Sequence, residues 1–176
     1  MVRAMLVAIL AITVVFVACA NATLIIDDDS SEEVLDASGR TCNEPEPSPP
    51  EVEGETFTTA GGVEVIIIAS GEEDPAQPGD AVAIHYAGWL TADGTLFDSS
   101  LIRCEPFTFV IDRGDVIRGW DEGIVGMSPG DIRRLIIPAD LAYGDQARDN
   151  IPPNSSLTFD VELLAFGRAI ETTPTP

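Results

Sequence analysis

Large apolar residues recur at every second position along several short stretches of the chain. Val82, Ile84 and Tyr86 form one such stretch. The same alternation occurs at Val63, Val65 and Ile67, at Phe107, Phe109 and Ile111, and at Leu157, Phe159, Val161 and Leu163. A period of two is typical of β-strands with one buried face. Turn sequences such as Ser128-Pro129-Gly130-Asp131 separate these stretches, so the pattern predicts a domain built mainly of strands.

One segment carries a helical pattern instead. Ile117, Trp120 and Ile124 stand at positions i, i+3 and i+7, which lie on one face of a helix. The same segment contains three glycines, and each costs about 1 kcal/mol relative to alanine in a helix interior. Packing can offset that cost where a helix backbone must approach a sheet closely. We therefore predict an α+β domain in which an antiparallel sheet wraps around one short helix.

The charge of the chain is strongly acidic. Its 176 residues include 30 Asp and Glu against nine basic residues, all of them Arg, which gives a formal net charge of −21. Such a surface repels phosphate groups, so we expect neither nucleic acid nor an anionic membrane surface as a partner.

Residues 1–22 have the features of a targeting segment. Arg3 supplies one positive charge, and an apolar run from Ala4 to Ala18 follows it. Three interpretations stay open: cleavage before a lipidated Cys19, cleavage after the small-x-small sequence Ala20-Asn21-Ala22, or an uncleaved membrane anchor. All three place the rest of the chain outside the cytoplasm, either secreted or anchored to a cell-envelope membrane.

Composition divides the remainder of the chain. Residues 23–55 are rich in Asp, Glu, Ser and Pro and predict a tether, residues 56–168 predict the folded domain, and residues 169–176 form a polar tail. If Cys19 is lipidated or removed, Cys42 and Cys104 remain. An oxidising compartment would allow these two thiols to form a disulfide, and the alternative is two free thiols.

Several kinds of catalytic or metal site are excluded by the residues present. Gly126-Met127-Ser128-Pro129-Gly130 matches the nucleophile elbow of serine hydrolases, but Pro129 lacks the backbone N–H that the oxyanion requires. His85 is the one histidine of the chain and cannot build a zinc site with distant thiols. The acidic run at 27–29 lacks the glycine and ligand spacing of a calcium loop. We expect no cofactor and no metal.

Six short motifs resemble, in chain order, those of the FKBP-type peptidyl-prolyl isomerases. They are IHYAG at 84–88, GTLFDSS at 94–100, PFTF at 106–109, VIRGWDEG at 116–123, AYG at 142–144 and IPP at 151–153. The resemblance implies a five- or six-stranded antiparallel sheet wrapped around one short helix. It also implies catalysis of rotation about X–Pro peptide bonds, which assists protein folding.

The resemblance further implies the site. Trp120 would form the floor of an apolar pocket for the proline ring. The Ile117 backbone N–H would hold a substrate carbonyl, the Tyr143 hydroxyl would donate a hydrogen bond, and Asp98 would interact with the twisted carbonyl. The implied catalytic residues are Asp98, Tyr143, Trp120, Phe159 and Ile117, and the implied substrate-binding residues are Tyr86, Phe97, Phe107, Val116 and Ile151.

The implied partners are proline-containing polypeptides and the macrolide inhibitors of the family, and we expect a monomer. The segment 145–150, DQARDN, is charged and about one residue shorter than the corresponding loop of the family's common form. An alternative function is a chaperone module that binds proline-containing peptides with little turnover.

Overall fold

The computed structural model describes Cys42 and residues 45–168. The predicted targeting segment with Cys19 and the predicted polar tail lie outside the described residues. Among the helices that are described, none combines the length and apolar character needed to cross a bilayer.

The described part of the chain contains seven strands, two short α-helices and one 3-10 turn. The strands are β1 (Glu55–Thr58), β2 (Glu64–Ala69), β3 (Ala81–Leu90), β4 (Leu96–Ser99), β5 (Phe107–Val110), β6 (Ile132–Ile137) and β7 (Leu157–Gly167); the helices are α1 (Ser100–Arg103) and α2 (Arg118–Ile124), and the 3-10 turn is Ala139–Leu141. The α+β class is confirmed.

All strands belong to one antiparallel sheet, in the order β1-β2-β6-β7-β3-β4. Strand β5 pairs with the first half of β3, and β4 pairs with its second half. The helix α1 separates β4 from β5 along the chain, so both strands lie on the same edge of β3. The sheet exceeds the expected five or six strands because this edge is divided and because the short hairpin β1–β2 extends the opposite edge.

The helix α2 packs on one face of this sheet, and its glycines permit that packing. A Cβ atom added at Gly119 would lie 2.3 Å from Cγ2 of Ile137, and one added at Gly123 would lie 2.7 Å from Cδ2 of Leu135. Both contacts are far shorter than van der Waals separation, so a side chain larger than hydrogen at either position would push the helix away from β6. The glycines therefore bring Trp120, which is 5% exposed, down onto the sheet.

The other face of the sheet is partly covered by residues 45–50, which precede the first strand. The Trp89 indole N–H donates to the backbone oxygen of Glu46 at 3.0 Å. Arg134 donates to the backbone oxygen of Pro50 at 2.6 Å and forms a two-point ion pair with Asp160, at 2.6 and 2.7 Å. This portion of the predicted tether thus lies along the sheet, held by side chains that point away from α2.

Candidate active site

Four aromatic rings pack around Trp120 on the face of the sheet that carries α2. The Trp120 ring centroid lies 5.0 Å from that of Tyr86 and 5.1 Å from that of Phe159, with the rings steeply inclined to one another. Phe107 and Phe109 approach the indole from β5, both at 5.8 Å. Edge-to-face packing of this kind fixes each ring in place, so the Trp120 face is a rigid surface.

These rings enclose one side of an apolar cavity of about 250 Å³. It is lined by Tyr86, Phe97, Asp98, Phe107, Asp115, Val116, Ile117, Trp120, Tyr143 and Phe159. Nine of the ten residues that the family resemblance implied therefore line one cavity, although they come from six different segments of the chain. The tenth, Ile151, is buried and lines an adjoining cavity that shares Phe97, Asp98 and Tyr143 with the first.

Three polar side chains meet at one rim of the cavity. Asp98 accepts a hydrogen bond from the Tyr86 hydroxyl at 2.5 Å and forms an ion pair with Arg103 at 2.8 Å. Arg103 also donates to the Tyr86 hydroxyl oxygen at 3.2 Å. The three side chains therefore form a closed ring of hydrogen bonds.

This arrangement separates the ionisation of its members. Burial, and then the hydrogen bond to the Asp98 carboxylate, raise the pKa of Tyr86 to about 12. Burial alone would raise the pKa of Asp98, but the hydrogen bonds from Tyr86 and Arg103 and the charge of Arg103 together lower it below its ordinary value. At neutral pH the cavity thus presents a charged Asp98 and a neutral Tyr86.

The backbone around Tyr86 explains how this rim is positioned. Strand β5 pairs with β3 only as far as Ile84, and β4 begins to pair at Ala87, so the backbone of Tyr86 has no strand partner on this edge. Two serine side chains replace that partner. Ser100 Oγ accepts from the Tyr86 N–H at 2.8 Å, and Ser99 Oγ donates to its carbonyl at 2.9 Å. These bonds hold Tyr86 level with Asp98, the residue before the two serines.

Two hydrogen-bond donors of the cavity have no partner within the described residues. The indole nitrogen of Trp120 is buried and unpaired. The backbone N–H of Ile117, the residue just before α2, also donates to no other described residue. The Trp120 nitrogen has almost no accessible surface, so only the Ile117 N–H, at a residue that lines the cavity, is available to an acceptor on a bound molecule.

A comparison with protein families identifies the fold and its site. The family model described as FKBP-type peptidyl-prolyl cis-trans isomerase matches residues 72–164, which include α2 and every residue of the cavity. The chain belongs to this family. The predicted family membership and the isomerase activity that defines the family are confirmed.

Individual proteins of the FKBP family are similar to this chain in sequence. The FKBP domain is similar to peptidyl-prolyl cis-trans isomerase Fkbp12 of Drosophila melanogaster, with 51% identity over 105 residues that cover 58% of this chain and 96% of the fly protein. It is similar to human peptidyl-prolyl cis-trans isomerase FKBP2, with 46% identity over 97 residues, which are 54% of this chain and 68% of the human protein.

Solved structures of FKBP proteins show the same fold. FkpA from Escherichia coli matches with a TM-score of 0.60 and 39% identity, over 65% of this chain and 52% of that one. AtFKBP13 matches with a TM-score of 0.58 and 38% identity, over 65% of this chain and 99% of that one.

A disulfide lies beside the rim of this FKBP site. Cys42 and Cys104, which the sequence suggested as a pair, are joined by a disulfide with their Cα atoms 5.4 Å apart. Cys104 directly follows Arg103 and ends α1. The bond therefore connects the segment before the domain to the end of α1, next to Arg103.

Sequence reasoning did not identify Arg103 or Asp115 as site residues. Arg103 is five residues after Asp98, which lies in β4. Arg103 reaches the Asp98 carboxylate only because α1 reverses the direction of the chain. His85, the chain's one histidine, is buried on the opposite side of the sheet, where its Nδ1 lies 2.9 Å from Ser100 Oγ. Nowhere in the described residues do three or more His, Cys, Asp or Glu side chains form a group that could hold a metal.

Proposed function

We propose that this FKBP catalyses cis–trans isomerisation of X–Pro bonds in proteins outside the cytoplasm and so assists their folding. The observation that supports the activity most directly is the cavity itself. A rigid floor of Trp120 and walls of Phe97, Phe107 and Phe159 suit the ring of a proline, and Asp98 and Tyr143 place polar groups in the same cavity.

The chemistry requires no nucleophile. Rotation about an X–Pro bond has a barrier of about 20 kcal/mol because the amide must lose its resonance. In the twisted state the carbonyl oxygen carries less charge and the nitrogen regains a lone pair. An apolar cavity disfavours the planar, more polar amide relative to the twisted one, so it binds the transition state better than the ground state.

The polar groups orient the substrate. With the proline ring on Trp120, the carbonyl of residue X lies at the rim, where the Tyr143 hydroxyl donates to the peptide and Asp98 faces the twisted carbonyl carbon. The unpaired N–H of Ile117 lies at the start of α2 and receives the carbonyl on the other side of the proline. These three contacts fix the two peptide units that flank the proline, while the ring itself is held by apolar contact alone.

The extracytoplasmic location rests on two independent features. The apolar run before Cys19 has the length of a signal core. The Cys42–Cys104 disulfide is of a kind that persists in oxidising compartments and is rare in the cytosol. Macrolide ligands of the family and clients with exposed prolines are the partners we propose, with a monomer as the working unit.

The test is a rate measurement by NMR exchange spectroscopy on a Leu-Pro peptide with the full chain in mild detergent. We expect faster exchange between the cis and trans forms, and we expect Trp120→Ala to lose most of the acceleration. Arg168→Gln, an exposed residue beyond the end of β7, serves as the control and should retain it. Peptide binding without acceleration would contradict the proposal and favour the peptide-binding chaperone module.

A further inference from the structure

A second cavity adjoins the proline pocket. Its volume is about 480 Å³, and it is lined by Phe97, Asp98, Tyr143, Arg148, Asp149, Asn150 and Ile151. Phe97, Asp98 and Tyr143 line both cavities, whereas Ile117 and Trp120 line only the first. The second cavity therefore opens from the rim at Asp98 and Tyr143, on the side away from the start of α2.

This geometry determines which substrate residue faces the second cavity. Under the proposed function, Asp98 interacts with the carbonyl of residue X, and the carbonyl after the proline lies at Ile117. The Cα atoms of X and proline are only about 3 to 4 Å apart. The side chain of X therefore enters the cavity beyond Asp98, and the residue after the proline leaves on the Ile117 side.

Arg148 is held at the wall of this second cavity. Its backbone exchanges two hydrogen bonds with Ile151, at 3.0 and 2.5 Å, and Asp149 and Asn150 form the turn between them. Ile151 is buried, so the turn is anchored to the domain. The Arg148 guanidinium lies 5.3 Å from the centre of the Tyr143 ring, within the range of a cation–π contact.

The charges around Arg148 leave it able to pair with a substrate. Asp98 is already paired with Arg103. Asp149 lines the same cavity, but none of the carboxylates in the described part of the chain lies within 4.0 Å of the Arg148 guanidinium. Arg148 is thus a cation of the cavity that no carboxylate of the described residues neutralises.

We propose that Arg148 makes this isomerase favour Glu or Asp as the residue before proline. The inference rests on the proposed function, because it assigns a preference to the same site. A carboxylate of X would reach the guanidinium while its backbone carbonyl remains at Asp98 and Tyr143. Arg148 is exposed, and ion pairs in contact with solvent change an equilibrium by no more than about fivefold. We expect a preference of about threefold.

The experiment compares Glu-Pro, Gln-Pro and Leu-Pro peptides, with kcat/KM measured by NMR exchange on the full chain in mild detergent. The readout is the ratio for Glu-Pro over Gln-Pro. Arg148→Gln should lower this ratio about threefold, and Asp149→Asn should raise it because it removes a repelling charge. Raising the ionic strength should reduce the difference between Arg148→Gln and the wild type.

Arg168→Gln is the matched control. Arg168 is also exposed and also stacks on an aromatic ring, Phe166, at 5.8 Å, but it lies roughly 30 Å along β7 from Phe159. Both variants remove one positive charge from a net charge of −21, so any general electrostatic effect on acidic peptides is the same in both. Arg168→Gln should leave the ratio unchanged.

The outcomes separate the two proposals. If Leu-Pro, Gln-Pro and Glu-Pro are all isomerised but Arg148→Gln and Arg168→Gln give equal ratios, the preference assigned to Arg148 is wrong while the isomerase function stands. Leu-Pro-Glu and Leu-Pro-Gln peptides are measured as well. If Arg148→Gln changes the ratio of these two and leaves Glu-Pro over Gln-Pro unchanged, the assignment of the second cavity to residue X is wrong. If none of the peptides is isomerised, the proposed function fails, and the preference fails with it.

Discussion

Tyr86 on β3 and Asp98 on β4 are joined by a short hydrogen bond of 2.5 Å across the rim of the proline cavity. Arg103 binds both side chains, so each member of the ring has two partners. The Asp98 carboxylate is therefore fixed in position and in charge before any substrate arrives. A group held in this way needs no reorganisation when the peptide bond twists.

Removing the Tyr86 hydroxyl tests this relationship. Tyr86→Phe keeps the ring that packs on Trp120 but removes one donor to Asp98, so the pKa of Asp98 should rise toward its ordinary value. The rate should fall modestly, since one hydrogen bond is worth about 1 kcal/mol. The measurement is an NMR titration of the Asp98 carboxyl carbon together with the exchange rate.

Tyr143→Phe provides the comparison, because it removes the other tyrosine hydroxyl of the chain without touching Asp98. It should lower the rate by a similar amount and leave the Asp98 titration where it is. An unchanged Asp98 titration in Tyr86→Phe would show that the hydrogen bond does not set the charge of this carboxylate.

The pH profile follows from the two pKa shifts. Because the pKa of Asp98 is lowered, its carboxylate is charged at every pH above the ordinary pKa of an aspartate. Because the pKa of Tyr86 is raised to about 12, its hydroxyl is neutral near neutral pH. Because the folded state lowers the pKa of Asp98, the stability that this group contributes is present above its unfolded pKa and is lost as pH falls through its folded pKa. The catalysed rate should be nearly flat from about pH 6 to 8.

The measurement is kcat/KM for a Leu-Pro peptide across that interval, repeated with His85→Gln. His85 lies on the opposite side of the sheet, buried and beside Ser100, so the variant should show the same flat profile if it folds. A bell-shaped profile near neutrality, or a folded but inactive His85→Gln, would mean that a proton-transfer group limits the rate.

The strand pattern and the helix were predictable because each depends on a period within one segment. The alternation at Val82, Ile84 and Tyr86 corresponds to β3, and the helical face at Trp120 and Ile124 corresponds to α2. Strand β6 was not predicted individually. Its sequence, IRRLII, places Arg133 and Arg134 on opposite faces of the sheet. Arg133 is buried against the backbone oxygen of Gly126, just after α2, and Arg134 is buried against Asp160 on β7.

The apolar part of the site was implied by motifs, whereas its charged partners were not. Arg103 reaches Asp98 through the geometry of α1, and Arg148 reaches Tyr143 through a turn closed by Ile151. Such positions depend on backbone turns that no periodicity encodes. The contact of Glu46 with Trp89 could likewise not be predicted from the sequence, because a Pro-rich acidic segment has the composition of a disordered tether.

The glycines of α2 can be tested by filling them. Gly119→Ala would place a methyl group 2.3 Å from Ile137, and overpacking of this kind typically costs about 1–3 kcal/mol. The helical propensity of alanine offsets about 1 kcal/mol of that cost. We expect a net loss of stability in urea unfolding and a lower rate, because Trp120 would move off the sheet.

Gly167→Ala is the control, since a Cβ there meets no atom within 4 Å and the backbone does not require a positive φ. It should change the free energy of unfolding by less than about 0.5 kcal/mol. Equal stability of the two variants would refute the close-approach explanation for the glycines.

The anchoring prediction concerns residues outside the described part of the chain. Of the three interpretations of residues 1–22, Val17-Ala18-Cys19 at the end of the apolar run favours cleavage and lipidation at Cys19, and a serine variant tests this hypothesis. Cys19→Ser should therefore release the protein from membranes or leave it unprocessed, as measured by fractionation and intact mass. If the Cys19→Ser variant keeps its membrane attachment and its mass matches that of the wild type apart from the substitution, lipidation of Cys19 is contradicted and an uncleaved anchor is favoured.

The Cys42–Cys104 disulfide should stabilise the domain and hold the active-site rim. It closes a span of 62 residues, for which the chain-entropy model gives about 4 kcal/mol. The double variant Cys42→Ser with Cys104→Ser should unfold at lower urea concentration by up to that free energy. Because Cys104 is adjacent to Arg103, the variant should also loosen the Arg103–Asp98 ion pair and lower the isomerisation rate modestly.

Adding Arg103→Gln to the double variant separates the two effects. If the disulfide acts on the rate through Arg103, Arg103→Gln should reduce the rate in the disulfide-bonded protein and have a smaller effect once both cysteines are gone, since the two changes then disturb the same contact. Additive losses would mean that the disulfide affects catalysis by another route. Detection of two free thiols in the oxidised wild-type protein by mass-shift labelling would show that the disulfide does not form. Both of its predicted effects would then be wrong.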